Sequence, residues 1–200
     1  VLVDAYKKGI RDYDVEKAWR LADQTSKRFG NAPYGYVPNS VSETLEYAYT
    51  EWCMAEFAKA LGKTEEERKY RELALSYKNI YDADHNSFCP KDEKGKFREW
   101  PENGRLTEGF GCVESNPFQQ GWFVPHDVDG LVRLKGGRQQ TIQDLDYMFD
   151  NTPSDFLWNQ FYNHANEPVH HVPFLYNRLG EPWKTQYWSN YICRKAYKNG

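Results

Sequence analysis

A glutamate in the middle of the chain has surroundings that favour acid–base chemistry. Glu114 lies in a segment without helical periodicity, just after two glycines and shortly before Trp122 and Phe123. A carboxyl group beside aromatic side chains loses water contact, which raises its pKa and allows it to act as a general acid. The alternative is that Glu114 caps the helix that follows it.

Oxygen and nitrogen ligands are concentrated further along the chain. Asn166 and Glu167 place a neutral and an anionic oxygen side by side before Pro168, and such hard donors favour Ca²⁺. His170 and His171 follow, but adjacent histidines point in different directions, whereas a zinc site prefers helical spacings of three or four. The pattern therefore predicts a pair of calcium ligands. Two structural histidines and a zinc site are the alternatives, and one histidine can enter a site while the other packs.

A tryptophan and a lysine near the end of the chain suit the wall of a binding pocket. Trp183 and Lys184 follow the helix breaker Gly180, and an indole offers flat apolar contact with a polar edge. The alternative is that Trp183 and Trp188 only fill the core.

The composition of the chain excludes several classes of protein. Its 200 residues carry 26 Lys and Arg against 29 Asp and Glu, so charge gives no reason to expect nucleic acid or an anionic membrane as partner. Mean hydropathy is −0.89, and no apolar run approaches the ~18 residues of a spanning helix, which predicts no membrane span. The 7 Trp, 15 Tyr and 11 Phe residues exclude a disordered chain. The 4 cysteines include no C-x-x-C pair, and we expect buried free thiols.

Helices must position the candidate residues, because helical patterns dominate the sequence. Asp14 is an N-cap candidate, and capping boxes at Ser40 and Thr64 each open a further helix, so the first three helices should pack as antiparallel neighbours. Residues 82–117 contain many Gly and Pro residues and predict a long irregular segment, which in a compact domain is usually functional. The predicted helices cover residues 14–29, 42–61, 65–81, 126–134, 139–151, 169–179 and 181–197.

Helical hairpins with long loops gathered at one end predict an all-α fold, and two architectures share this pattern. An α/α toroid alternates outer and inner helices and builds its site from the loops at one rim. An ordinary helical bundle has the same order of elements, so periodicity alone leaves both architectures open.

The segments that carry these residues, taken together, resemble glycoside hydrolase family 92. The stretch ESNPFQQGWFVPHDVDGLVRLKGG, which begins at Glu114, is similar to the signature E-G-N-x-x-Q-x-x-W-F-V-P-H-D-V-x-G-L-x-x-L-x-G-G of that family. Three more stretches resemble other family segments in the same order: SETLEYAYTEWCMAEFAKALG, NEPVHHVPFLYN and PWKTQ. The match runs nearly from end to end.

This resemblance implies a Ca²⁺-dependent, inverting exo-α-mannosidase that acts on mannose-containing glycans and whose catalytic domain is an (α/α)6 toroid. Glu114 takes the position of the general acid, although Ser115 replaces the glycine that follows it in the family. Asn166 and Glu167 fall where the family holds the metal and the bound sugars. The substrate-binding residues that we expect are His164, Asn166, Glu167, His170, Trp122, Trp183 and Lys184.

Two departures from the family pattern concern linkage and completeness. Family members specific for α-1,2 linkages carry His-Glu just before N-E-P, whereas this chain has His164-Ala165, which argues against an α-1,2 linkage. The family's N-terminal β-sandwich and its D-N-G-Q-M-S-A-W stretch, beside which the catalytic base lies, have no counterpart in the sequence. We therefore expect residues 1–200 to be an inactive fragment of one toroid domain. The family also implies a periplasmic or extracellular bacterial enzyme of N-glycan degradation.

Two other classes of protein remain open at the level of the sequence. One is a non-catalytic helical carbohydrate-binding module that keeps the aromatic pocket. The other is a helical scaffold that binds a protein partner along its aromatic face. Sugar binding linked to calcium favours the enzyme, calcium-independent binding favours the module, and no sugar binding favours the scaffold.

Overall fold

The computed structural model describes residues 1–197, and this part of the chain is mainly helical, as predicted. Two short strands, β1 (Tyr81–Asp82) and β2 (Ser87–Phe88), pair as an antiparallel hairpin. Single 3₁₀ turns connect several of the helices. The α-helices are α1 (Leu2–Lys7), α2 (Val15–Phe29), α3 (Val41–Ala60), α4 (Thr64–Leu73), α5 (Pro117–Gln120), α6 (Val128–Leu134), α7 (Arg138–Asp150), α8 (Leu175–Arg178) and α9 (Pro182–Lys195).

Side-chain caps start α2 and α3 at the predicted residues, although at Ser40 only half of the predicted capping box forms, because the Ser40 N–H donates to the Val37 carbonyl. Helix α1 was not predicted. The Asp14 carboxylate accepts the Lys17 N–H at 2.9 Å, and Ser40 Oγ accepts the Glu43 N–H at 3.1 Å. The predicted capping box at Thr64 is wrong, because Thr64 is itself the first helical residue of α4 and its N-cap makes no side-chain hydrogen bond.

Helix α4, predicted over residues 65–81, is also shorter than predicted. It ends at Leu73, and the chain continues as a 3₁₀ turn over Ser76–Ile80. Side chains three residues apart lie on the same face of a 3₁₀ helix. Tyr77 and Ile80 have this spacing and are both fully buried, so the change of helix type directs two large side chains into one core.

Helices α2, α3 and α4 are the three predicted N-terminal helices, and they pack as antiparallel neighbours, as predicted. Trp19, near the start of α2, contacts Phe57, near the end of α3, edge-on. Asn31, just after α2, reaches back to Glu51 in the middle of α3. The turn between Ala60 and Thr64 then reverses the chain, so that α4 runs back along α3.

Helix α3 lies between two hydrophobic cores, which explains its broad pattern of burial. Its C-terminal half packs into a small core with α2 and α4, while Leu45 in its N-terminal half belongs to the main core. Leu45 is fully buried, whereas Tyr49 and Trp52, between the two cores, are half-buried and Ala60 at the end of the helix is exposed.

The segment 82–117 is mostly irregular, as predicted, apart from the end of the β-hairpin and one 3₁₀ turn. Charged groups attach it to the helices. Arg105 in this segment donates two hydrogen bonds of 3.2 Å to the Asp144 carboxylate on α7. The buried Lys135 ammonium, just after α6, lies 2.7 Å from the same carboxylate. This ion cluster fixes the segment that leads to Glu114.

The predicted helix over 169–179 is broken into short pieces. Two 3₁₀ turns, Glu167–Val169 and Val172–Phe174, precede the four-residue α8. Pro173 lies within the second turn, and a proline has no N–H for a helical hydrogen bond and clashes with the preceding turn. Helices α6, α7 and α9 lie within two residues of their predicted bounds, whereas the short α5 was not predicted.

The expectation of buried free thiols is confirmed for two of the four cysteines. Cys53, Cys89, Cys112 and Cys193 are free thiols, of which Cys89 and Cys112 are buried and Cys193 is exposed. Over residues 1–197 there is no helix whose length and apolar character would let it cross a bilayer.

Candidate active site

Glu114 lies on a loop that is attached to the start of α3. The Gly111 carbonyl accepts the Val41 N–H at 2.6 Å, and the Val113 N–H donates to Ser42 Oγ at 3.0 Å. The loop also closes on itself through the Gly109 N–H, which donates to the Ser115 carbonyl at 3.0 Å. The loop is therefore held on both sides of Glu114 by backbone hydrogen bonds.

The backbone of Glu114 is strained. Its φ is +52°, a left-handed conformation that costs a residue with a Cβ roughly 1–2 kcal/mol. Asn39, Asn86 and Phe156 are the other non-glycine residues with positive φ in the described chain, and asparagine tolerates this conformation. Strained residues of this kind concentrate at functional sites.

The side chain of Glu114 is exposed and makes no hydrogen bond or ion pair with residues 1–197. It does not cap α5, because the N-cap is Asn116, which forms a reciprocal capping box with Gln119. The alternative of a capping role is therefore wrong. Trp122, expected from the sequence as an aromatic wall beside Glu114, instead lies in the core, 1% exposed.

Asn116 and Gln119 also join the Glu114 loop to a second loop, over residues 152–163. The Asn116 side-chain amide donates to the Gln160 carbonyl at 2.9 Å. The Gln119 amide donates to the carbonyls of Asn159 and Phe161 at 2.6 and 2.7 Å. Nothing in the local sequence pattern indicated this pairing of loops, because it depends on residues some 40 positions apart.

The structure brings Asn166 into contact with Glu114. Asn166 is 8% exposed, and its side-chain amide donates to the Glu114 carbonyl at 3.1 Å. Glu167 is the next residue and is exposed. Of the residues predicted to do chemistry, Glu114, Asn166 and Glu167 therefore form one neighbourhood.

Two of the three C-terminal histidines, His164 and His170, contact each other. The imidazoles of His164 and His170 stack with their centroids 4.8 Å apart, and His170 Nε2 lies 2.9 Å from the His164 carbonyl. Hydroxyl groups of Tyr162 and Tyr197 lie 2.8 Å from the two ring nitrogens of His164. Burial, and then the nearby His170, lower the pKa of His164, which favours a neutral ring at pH 7.

His171 has a structural role. Its Nε2 lies 2.8 Å from the Trp122 carbonyl, and burial lowers its pKa. His170 is exposed whereas His171 is packed, so the two adjacent side chains point in different directions, as predicted. Trp122 itself is corrected from a sugar-binding residue to a core residue, with the Lys135 ammonium 4.4 Å from its ring centroid.

Trp183 and Lys184 lie apart from the other candidates. Trp183 is 59% exposed at the start of α9, so it does not fill the core, and its indole N–H donates to Glu181 at 2.8 Å. The Lys184 ammonium pairs with the Asp146 carboxylate at 2.7 Å. These partners, Glu181 and Asp146, are not part of the neighbourhood of Glu114 and Asn166, so the structure does not join Trp183 and Lys184 to it.

The oxygen donors of Asn166 and Glu167 fit Ca²⁺ in kind. The amide nitrogen of Asn166 is directed to Glu114, which leaves Oδ1 as its acceptor, and the Glu167 carboxylate is exposed. Two oxygens are fewer than the ~6–8 that Ca²⁺ takes. Within residues 1–197 no three His, Cys, Asp or Glu side chains form a group that could hold a metal, so this pair fits as part of a larger ligand set.

Comparisons with known proteins point to one family of enzymes. The sequence of residues 1–200 matches the family model of the glycosyl hydrolase family 92 catalytic domain. A curated relative is an uncharacterized secreted glycosidase of Arthroderma benhamiae. The two sequences are 28% identical over an alignment 212 residues long with its gaps, which covers 89% of this chain and 26% of that protein.

Solved structures of two Bacteroides thetaiotaomicron enzymes superpose on the whole chain. The first is a family GH92 inverting mannosidase, with a TM-score of 0.88 and 32% identity over 100% of this chain and 31% of its own. The second is a family GH92 alpha-mannosidase in complex with mannoimidazole, with a TM-score of 0.85 and 33% identity over 100% of this chain and 29% of its own.

The chain spans less than a third of the length of each of these relatives. The family match nevertheless extends over the entire sequence, and the superposed structures share its fold throughout. The chain belongs to glycosyl hydrolase family 92, and its residues form part of that family's catalytic domain.

Proposed function

We propose that the protein containing this chain is a glycoside hydrolase, an exo-α-mannosidase that removes mannose from mannose-containing glycans. The observation that carries the proposal is the hydrogen bond between Asn166 and the Glu114 carbonyl. It joins the loop that carries the exposed Glu114 carboxylate to the residue just before Glu167, which supports one site that contains all three residues. The mannosidase specificity rests on the relatives, two of which are mannosidases.

In this proposal Glu114 is the general acid. Its carboxyl group donates a proton to the glycosidic oxygen as the bond to the leaving group breaks, a role that typically contributes 10²–10⁴-fold to the rate. The exposed side chain is free to meet a substrate, and the hydrogen bonds of the loop fix the backbone from which it extends. An inverting mechanism also needs a base roughly 6.5–9.5 Å away, with a water between the two groups. We assign that base to a part of the enzyme outside this chain.

Asn166 Oδ1 and the Glu167 carboxylate are the residues that would hold Ca²⁺. The ion, when bound, supplies positive charge that orients sugar hydroxyls and stabilises negative charge at the reacting centre. Asn166 has a second task, because its amide nitrogen holds the Glu114 carbonyl. His170 lies on the same segment and is exposed, so in this proposal its imidazole meets sugar hydroxyls. His164 positions it, because the His164 carbonyl lies 2.9 Å from His170 Nε2 and both ring nitrogens of His164 already contact tyrosine hydroxyls.

The larger architecture and the location are part of the same proposal. The antiparallel helices and the loops that converge at Glu114 support a portion of an (α/α)6 toroid, with the site at one rim. The secreted description of the curated relative supports an exported enzyme, extracellular or periplasmic. The linkage that the enzyme cleaves stays open, with α-1,2 disfavoured by His164-Ala165.

The test is hydrolysis by the complete enzyme of α-linked mannosides and of matched α-glucosides, with the anomer of the first product followed by proton NMR. We expect mannose to be released as the β-anomer, and the glucosides to remain intact. Release of the α-anomer would contradict inversion. Binding of mannosides without hydrolysis would instead indicate a carbohydrate-binding module.

A further inference from the structure

A tryptophan on the second loop has a side chain that the core does not use. The Trp158 side chain is 50% exposed, and its indole N–H donates to the Glu108 carboxylate at 3.3 Å. Glu108 is itself exposed. The exposed indole offers an apolar face that a ligand can cover.

The loop that presents Trp158 is held by its neighbours through side-chain amides. The Asn159 amide donates to the carbonyls of Leu157 and Tyr162 at 2.8 and 2.9 Å, and its Oδ1 accepts the Phe161 N–H at 2.7 Å. Gln119 donates to the Asn159 carbonyl from outside the loop. These bonds flank Trp158 on both sides, so the position of the exposed indole is fixed by the folded chain.

Trp158 and Glu108 also lie beside Glu114. Glu108 precedes Gly109, whose N–H donates to the carbonyl of Ser115, the residue after Glu114. On the other side, Asn116 donates to the Gln160 carbonyl, two residues after Trp158. The two loops are thus joined before Glu114 by the bond from Trp158 to Glu108 and after it by the bond from Asn116 to Gln160. Both loops contain a strained non-glycine residue, Glu114 and Phe156.

The chemistry of this pair matches a sugar. A pyranose ring presents C–H groups that pack against an aromatic face and hydroxyl groups around its edge that donate to a carboxylate. An indole with its polar edge fixed by Glu108 offers both kinds of contact at one place.

We propose that Trp158 and Glu108 form a subsite for the sugar ring on the leaving-group side of the scissile bond. The general acid protonates the leaving-group oxygen, so a ring bound beside the Glu114 loop belongs to the leaving group. Trp158 stacks on this ring and Glu108 accepts from its hydroxyls. The proposal rests on the proposed function, because it takes Glu114 as the acid.

The experiment compares two substrates of the complete enzyme. The leaving group of an α-linked mannobiose is a sugar, whereas that of α-mannosyl fluoride is a fluoride ion. Trp158→Ala is expected to lower kcat/KM for mannobiose about tenfold, the effect of losing one aromatic contact, and to leave the fluoride unchanged. Trp158→Phe keeps an aromatic face and should recover most of the loss, and Glu108→Ala should reduce only the mannobiose reaction. Phe29→Ala removes an equally exposed aromatic from α2 and should affect neither substrate.

Equal losses on both substrates, or no loss on mannobiose, would overturn the subsite. A wild-type enzyme that hydrolyses neither substrate would contradict the proposed function instead. In that case calorimetric binding of mannobiose decides the subsite. Weaker binding by Trp158→Ala than by Phe29→Ala supports it, and equal affinities overturn it.

Discussion

The side-chain amide of Asn166 donates a hydrogen bond to the backbone carbonyl of Glu114 at 3.1 Å, across 52 residues of sequence. The bond lies between two segments that share no secondary-structure element, the Glu114 loop and the turn that starts at Glu167. It uses the nitrogen of the amide and leaves its oxygen available. One side chain can therefore position the candidate acid and provide a metal ligand.

Replacing Asn166 with Asp or Ala separates these two tasks. Asn166→Asp keeps an oxygen ligand but cannot donate to the Glu114 carbonyl, and the new carboxylate repels it. We expect kcat of the complete enzyme to fall on the order of 10²-fold, the effect of a small displacement of a catalytic group, while the calcium concentration for half-maximal activity changes little. Asn166→Ala should lose both properties. Equal calcium dependence in the two variants would show that Asn166 is no ligand.

Removal of metal should abolish activity. The complete enzyme treated with EDTA is expected to lose hydrolysis of mannosides and to regain it with Ca²⁺, because Asn166 and Glu167 offer hard oxygen donors. Recovery with Zn²⁺ but not with Ca²⁺ would assign the site to the histidines. Activity that persists in EDTA would remove metal from the mechanism.

Local signals in the sequence predicted the elements better than the contacts of the site. The caps at Asp14 and Ser40 depend on bonds within one turn, so the sequence pattern was enough to find them. Thr64 fits the same pattern but lies one residue inside its helix, because helix ends shift by a residue at little cost. The break at Pro173 was a local signal that the helical periodicity of the segment obscured.

The candidate site depends on contacts that no local pattern contains. Glu114 and Asn166 were predicted separately, and only the folded chain shows that they touch. Trp122 was predicted in the site and lies in the core, because an aromatic residue in a motif has the same pattern in either role. Trp158 had no signal at all, since its exposure results from the loop packing on Gln119.

The stability of the protein should depend on which member of the ion cluster of Arg105, Lys135 and Asp144 is replaced. Asp144→Asn leaves the buried Lys135 ammonium without its carboxylate, and we expect a loss of about 3 kcal/mol in the free energy of unfolding. Lys135→Met removes the buried charge and leaves Asp144 paired with Arg105, so it should be nearly neutral. Urea unfolding of both variants measures the difference. Equal destabilisation would mean that the lysine stabilises the fold through more than its charge.

The buried Glu51 makes a pH-dependent prediction. Burial raises the pKa of Glu51 in the folded chain, and hydrogen bonds from Asn31 oppose that rise. Asn31→Ala removes the side-chain donor at 3.2 Å and should raise the folded pKa further. A raised folded pKa leaves stability intact below the unfolded pKa of about 4.3 and reduces it as the pH rises. The variant should therefore lose about 1 kcal/mol more at pH 7 than at pH 4.

Unfolding measured at several pH values tests this prediction, with Glu51→Gln as the control. Combined with Asn31→Ala, that substitution removes the titrating group, so the additional pH dependence should disappear. A pH dependence that survives in the double variant would assign it to another residue.

The role of Glu114 is tested most directly by Glu114→Gln in the complete enzyme. Glutamine keeps the size and hydrogen bonding of the side chain but cannot donate a proton to the glycosidic oxygen. We expect kcat for an unactivated α-mannoside to fall on the order of 10²-fold or more, and kcat for a mannoside with a good leaving group, which needs little protonation, to fall much less. Equal losses on the two substrates, or no loss on either, would contradict the assignment of Glu114 as the general acid.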